Sequence, residues 1–401
     1  MTKTWAVLHD RDARLCLTGV LVSGFGTSAL WLVSGVWVKD LTGSDGLAAL
    51  CMLAMWLPTL AGPLLGTIAD RVRRKPLLIG GNLLMAALLP VLLTERVAVV
   101  LAVLLVYGTT GVVLDAAESA LVAGAVAPSL LGDFNGLRTA VNEGMKLVAP
   151  LAGAGLYALW GGPAVALLDA ATFVLAALLY RGLRVRGDEP KPPSRRTPFV
   201  EGARHIWAHP SLRPLILAGA GAMLCAGVNG ALMYAVVDGL GHSPAYAGAL
   251  YAVQGAGSVA VGLLSGPALR RLGGRRFAVY GIVLTAVAAG LRAVPSDPLA
   301  LVCSAAVGSG LPCVLVAALT AVQRETPDAL LGRAVATANT LVFAPNVLGL
   351  AVGAALVEPV DQRPLSAVLG VVWLASSVPL LQRRARAERI ASRSPSDAKP
   401  A

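Results

Sequence analysis

The sequence is short of charge, of histidine and of usable cysteine. Asp, Glu, Lys and Arg make up 14% of 401 residues, where a soluble domain is nearer a quarter. With 56% hydrophobic residues and mean hydropathy +0.72, a water-soluble globule is excluded. Aromatics are 5% and histidines number four. His9, His205, His209 and His242 cluster with no carboxylate inside an apolar stretch, which argues against a membrane enzyme and a metal centre. The five cysteines, Cys16, Cys51, Cys225, Cys303 and Cys313, form no CxxC pair; buried packing residues are expected, not disulfides or zinc ligands. No GxxxxGK[ST] loop is present, so ATP hydrolysis is not expected. No cofactor is implied. Nothing resembles a signal-peptide cleavage site, and the first apolar stretch is expected to be retained.

What remains is a chain of long apolar runs. Twelve stretches lie roughly at 14–38, 46–69, 76–94, 97–122, 135–158, 162–180, 212–237, 244–269, 276–294, 297–322, 333–357 and 364–382. Each is long enough to cross a hydrocarbon core of about 30 Å as a helix. Backbone groups in lipid must bond internally, and the strand alternation of a membrane barrel is missing, so helices follow. Of the 33 Lys and Arg residues, all but Lys39, Arg96, Arg292 and Arg363 fall at the N-terminus, at the even-numbered gaps and at the C-terminus. Basic residues mark the cytoplasmic side. Both termini and the central loop are therefore expected in the cytoplasm of a bacterial inner-membrane protein. The net charge of +11 is dispersed over these segments, which fits orientation and anionic lipid rather than nucleic acid.

The chain also repeats. Gly66, Arg71, Gly132, Gly153, Ala154 and Leu156 recur as Gly266, Arg271, Gly332, Gly353, Ala354 and Leu356, always 200 residues on. Two six-helix halves are expected, residues 1–180 and 212–382, related by an axis along the membrane normal. They are joined by a polar, Pro-rich linker at 181–211 and followed by a tail at 383–401. Within the linker, Phe199–His209 fits a short amphipathic surface helix.

The loop after the second stretch reads Gly66-Thr-Ile-Ala-Asp70-Arg71-Val-Arg73-Arg74-Lys75, and its echo runs from Gly266 through Arg271 to Arg276. This resembles the GxxxDRxxRR/K signature of the major facilitator superfamily. The resemblance implies an all-α membrane fold of twelve helices, alternating access, no enzyme activity and a monomer. It also implies a latch built from Gly66, Asp70, Arg71, Arg74, Lys75, Gly266 and Arg271. A purely topogenic basic loop is the plainer alternative. Softer motifs resemble a branch of bacterial exporters, the enterobactin exporters and macrolide efflux pumps. They are Leu41-Thr-Gly-Ser44, Leu114-Asp115-Ala-Ala-Glu118-Ser-Ala-Leu121, Leu168-Asp169-Ala-Ala-Thr-Phe173, Gly202–Pro210 and Pro327–Arg333. That resemblance implies export of drugs or secondary metabolites and proton antiport. Yet the mid-span-four Arg of many proton antiporters is absent from Leu104–Gly108, and the span-five signature survives only as Ala149-Pro150-Leu-Ala-Gly153. An importer, a facilitator and a sensor without transport stay open on the same fold.

Charges inside the spans are costly, roughly 2.5–3.5 kcal/mol each on insertion scales. Asp115, Glu118, Glu143 and Asp169 are thus candidates for proton coupling or substrate binding. Asp115 and Glu118 share a helix face, about 27 Å along the fourth span. Structural pairing of Glu118 or Glu143 with Arg138 or Lys146 is the alternative. Asp169 falls in the outer third of its span, which is expected to pack behind the cavity. The resemblance gives spans one, four, seven and ten to the cavity wall. Its candidates are Thr27, Trp31, Tyr107, Thr110, Asn229 and Tyr234, joined by Asn339 and Phe343 of span eleven. Such a cavity suits a small lipophilic, cationic substrate.

Overall fold

A computed structural model describes residues 8–62, 64, 65, 68, 72–125, 131–184 and 198–381. Its elements are α1 (Arg11–Thr42), α2 (Asp45–Trp56), α3 (Arg74–Leu88), α4 (Val97–Ala125), α5 (Leu131–Arg181), α6 (Pro198–Ala208), α7 (Leu212–Ala231), α8 (Met233–Gly239), α9 (Ala247–Leu272), α10 (Gly274–Leu291), α11 (Asp297–Glu325), α12 (Asp328–Leu356) and α13 (Gln362–Ala375). No strand occurs among the described residues. Among the described residues nine helical segments are long and apolar enough to cross a membrane. The first arm of α5, α2 with its apolar continuation to Ala61, and α9 fall on the remaining expected stretches.

Local chemistry sets the ends. Asp10 caps α1 by accepting the Ala13 N–H at 2.9 Å. Gly43, at φ 71°, closes α1 in the left-handed region, its N–H donating to Lys39 O, as glycine does without a Cβ penalty. Ser44 then caps α2 through Leu47 N. The 51 residues of α5 would span about 77 Å as one rod, far beyond a bilayer. The break is Gly161, at φ 75° and ψ −175°, one residue before the sixth stretch was expected to begin.

The internal repeat has a packing reason. A Cβ at Gly108 would collide with the Met55 carbonyl, and one at Gly308 with the Gln254 carbonyl. A Cβ at Gly153 would press on Ala29 of α1, and one at Gly353 on Ala231 of α7. The two halves thus bring matching helices together on matching glycines, the small-residue contact that lets helices close in lipid.

Apolar packing follows the same division. One core holds Leu30, Val33, Met85, Leu104 and Phe173 of the first half, and another holds Ile216, Ile282, Val314 and Trp373 of the second. A third crosses between them: Leu32, Val36, Ala48 and Met52 pack with Tyr234, Val237, Ala247, Leu250 and Leu350. The linker helix α6 packs on α12 and α7, with Ile206 fully buried and Trp207 exposed.

Candidate functional site

Among the described residues of the first half Asp169 is the most enclosed carboxylate, with no exposed surface. It sits on α5 where Gly26 brings α1 close; a Cβ there would strike the Asp169 carboxylate. Tyr107 of α4 donates to Asp169 Oδ2 at 2.8 Å, and Thr172 donates to Oδ1 at 3.1 Å. The Tyr107 hydroxyl is also 2.8 Å from Thr27 Oγ1 of α1. Three crossings therefore converge on one carboxyl group through hydroxyls. Among the described residues no cation lies within ion-pair distance of it. From its span Asp169 faces α1 and α4.

The pair Asp115 and Glu118 is built differently. Arg138 reaches back from α5, placing Nη2 3.0 Å from Asp115 and Nε 3.3 Å from Glu118. Tyr180 donates to Glu118 Oε2 at 3.2 Å. The Asp115 side chain is 78% exposed, whereas Glu118 is buried. The helix face expected for the two holds, and both carboxylates lie within ion-pair distance of one guanidinium. The Glu143 side chain lies outside the described residues.

Of the cavity candidates, Thr27 and Tyr107 belong to the Asp169 cluster. Tyr234 is fully buried and donates to Leu32 O across the halves at 2.9 Å. Trp31 meets Tyr251 edge-on, ring centroids 4.9 Å apart. Asn229 accepts from Arg292 at 2.9 Å. Thr110 is half-buried and makes no part of these clusters, while Asn339 and Phe343 are exposed.

The end of the bundle carrying the α1–α2 turn is fastened by a polar clasp that sequence reasoning missed. Lys39 pairs with Asp45 at 2.7 Å and, across the halves, with Asp238. Glu358, just after α12, accepts from Ser44 Oγ at 2.6 Å and from Gly46 N at 2.8 Å. Those hydrogen bonds, the Ser44 one foremost, hold the Glu358 carboxyl below its ordinary range. Lys39 was read only as a stray cation of an odd-numbered gap. Its partners are 199 and 6 residues away, and only the nearer pairing was open to pattern. Arg292, read the same way, is buried.

In the signature loop, Gly66, Asp70 and Arg71 lie outside the described residues. Arg74 opens α3, and Lys75 donates to Leu183 O at 2.7 Å, tying α3 to the end of α5. Gly266 and Arg271 lie in the last turns of α9. Among the described residues no group of His, Cys, Asp and Glu could hold a metal ion.

The architecture has many counterparts among solved structures. A bacterial homologue of the iron transporter ferroportin, in an inward-facing state, superposes with TM-score 0.71 at 17% identity, over 92% of this chain and 97% of that one. A POT family transporter in complex with 5-aminolevulinic acid gives 0.76 at 11% identity, over 94% and 97%. The nucleoside transporter NupG gives 0.68 at 14%, over 95% and 99%. At such identities the likeness shows the fold alone. No curated protein matches the sequence. The family model of the Major Facilitator Superfamily matches residues 16–237 and 215–400, and with the twelve-crossing helical fold this makes the chain a multi-pass membrane transporter of the Major Facilitator Superfamily.

Proposed function

We propose that the chain is a secondary active exporter of small, largely apolar molecules, working by alternating access and driven by protons. The observation that carries the proton coupling is Asp169, a fully buried carboxyl group met by the hydroxyls of Tyr107 and Thr172. Charge in a bilayer core is costly, and among the described residues no cation offsets it. Taking up and giving up a proton is the chemistry open to such a group. The bond from Tyr107 to Thr27 links that event to α1, which packs most heavily on α5. A proton on Asp169 would thus alter contacts between helices of one half, which is what coupling requires.

The direction of transport rests on the resemblance to bacterial exporters in the Asp115 and Asp169 segments. The basic loops support a reading with both termini in the cytoplasm of a bacterial inner membrane. On that orientation the clasp of Lys39, Asp238, Ser44 and Glu358 would fasten the outer side. The signature residues Gly66, Asp70, Arg71, Arg74 and Lys75, with Gly266 and Arg271, would latch the opposite side in the outward-facing state. The halves, 1–180 and 212–382, would rock about the apolar seam as a monomer. Glu118 and Asp115 act on this reading as a structural pair with Arg138.

The test is energised efflux of a lipophilic dye panel from a pump-deficient bacterial host. Wild type, Asp169→Asn, Asp115→Asn and wild type with a protonophore form the arms. Loss of efflux with Asp169→Asn and with protonophore, but not with Asp115→Asn, supports the reading. Unchanged efflux by Asp169→Asn at normal expression would sink it.

A further inference from the structure

The second half buries a cation that no described residue balances. Arg292, at the end of α10, is 3% exposed. Its Nη1 donates to Asn229 Oδ1 at 2.9 Å and its Nη2 to Ser304 Oγ at 2.8 Å. Both acceptors are neutral, and the buried Nε has no partner. Among the described residues no carboxylate lies within ion-pair distance of it. A guanidinium does not give up its proton in a protein, so the charge persists, and taking an ion out of water costs several kcal/mol when no counter-ion follows.

The neighbouring polar atoms are unsatisfied too. Tyr251 Oη, Gln254 Oε1 and Trp31 Nε1 are all buried without a hydrogen-bond partner. The Tyr251 hydroxyl lies within electrostatic range of Arg292. Gln254 is one turn along α9 from Tyr251, and the Trp31 ring of α1 meets the Tyr251 ring at 67°. Native proteins leave few buried polar atoms unpaired, and each needs a reason. Here they gather where α1 of one half meets α9 of the other, around a forked cation with N–H groups to spare.

We propose that Arg292 is a carboxylate subsite for the transported molecule. Arg292 Nε and a free Nη hydrogen would grip the carboxylate in the two-bond geometry guanidinium favours. The Tyr251 hydroxyl and the Trp31 N–H would add donors, and the two rings would face the apolar body of the ligand. Asn229 and Ser304 position the guanidinium. A lipid phosphate is the weaker choice, because Trp31 and Tyr251 place the subsite on the seam between the halves and not on a lipid-facing surface. The inference rests on the transport reading above only in making the ligand cargo, and it replaces the cationic substrate expected from sequence with one that carries an acid group.

The experiment measures binding, not transport, so that the two readings fail separately. The purified full chain in a neutral detergent would be titrated with 2-naphthoate, with 2-naphthamide and with phosphatidylglycerol. Wild type is expected to bind the carboxylate at least about tenfold more tightly than the amide, as a charged hydrogen-bonded contact allows. Arg292→Gln should bring the two within about twofold, Arg292→Lys should keep part of the preference, and Arg363→Gln should leave it intact. Equal binding of acid and amide by wild type, or no binding of either, would overturn the proposal without needing any variant to fold. So would a preference that survives Arg292→Gln, or phosphatidylglycerol that displaces naphthoate. Acid-selective binding with no efflux of any compound would keep the subsite and sink the exporter.

Discussion

The two halves repeat one packing plan and bury opposite charges on it. In the first half Asp169 is surrounded by hydroxyls of its own and neighbouring helices. In the second, Arg292 is held by the Asn229 amide and the Ser304 hydroxyl. Neither charge has a counter-ion among the described residues. Glu118 and Arg138, a few turns from Asp169, are paired with each other. The difference separates groups that hold the fold from groups that wait for something. A paired buried charge has met its partner; an unpaired one needs a proton or a ligand, and the chemistry of each decides which. A carboxyl can take a proton, whereas a guanidinium cannot lose one and must find an anion.

The largest effect should come from Asp169. In proteoliposomes with an imposed pH gradient, Asp169→Asn should abolish uphill dye movement while Asp115→Asn keeps it. A gradient response that persists in Asp169→Asn would leave the first half without its proton site. Next is the cost of breaking a pair. Arg138→Leu strands the buried Glu118 and should lower stability by about 3–5 kcal/mol, read as a fall in thermal unfolding temperature in detergent. Adding Glu118→Gln should restore much of it. Arg292→Gln strands no charge and should cost clearly less; an equal cost would erase the distinction between paired and waiting groups.

Smaller again is Tyr107→Phe. It removes one donor from a buried carboxyl group, a loss of about 1–3 kcal/mol, and cuts the link to Thr27. Slower efflux with intact folding is the expected outcome, and wild-type rates would show the hydroxyl to be a bystander. The smallest effect concerns the clasp. Glu358 is held below the ordinary glutamate range by Ser44 and the Gly46 N–H. Its contribution to the closed clasp is therefore complete above about pH 4.3 and fades as pH falls through the depressed value. Spin labels at residues 41 and 359 should report a broader, longer distance below that range, and Glu358→Gln should remove the acid step. A distance insensitive to acid would mean that Lys39 with Asp238 and the apolar seam hold the end alone.

Much of this was legible in the chain. Twelve apolar stretches, the alternation of Lys and Arg, and the 200-residue repeat lead to the fold because lipid admits only helices here and because helix length is set by bilayer thickness. The break at Gly161 lay in the gap left between two stretches. The candidate site was legible in part. Asp169, Tyr107, Thr27, Trp31 and Asn229 were visible as polar residues that lipid makes expensive. Their roles were not. Asp115 and Asp169 look alike in sequence; Arg138, 23 residues from Asp115, distinguishes them only once α4 and α5 are side by side. Arg292 looked like a loop cation because its position at a helix end does not say whether the end is wet.

The sequence by itself determined membrane insertion, helix number and the duplicated plan, since each depends on composition and spacing along the chain. Tertiary structure alone decided which charges are paired, which are left waiting and how the clasp closes. Those facts depend on distances between helices far apart in sequence, Lys39 and Asp238 or Asn229 and Arg292, and the energy of a buried charge is set by what lies within a few ångströms of it.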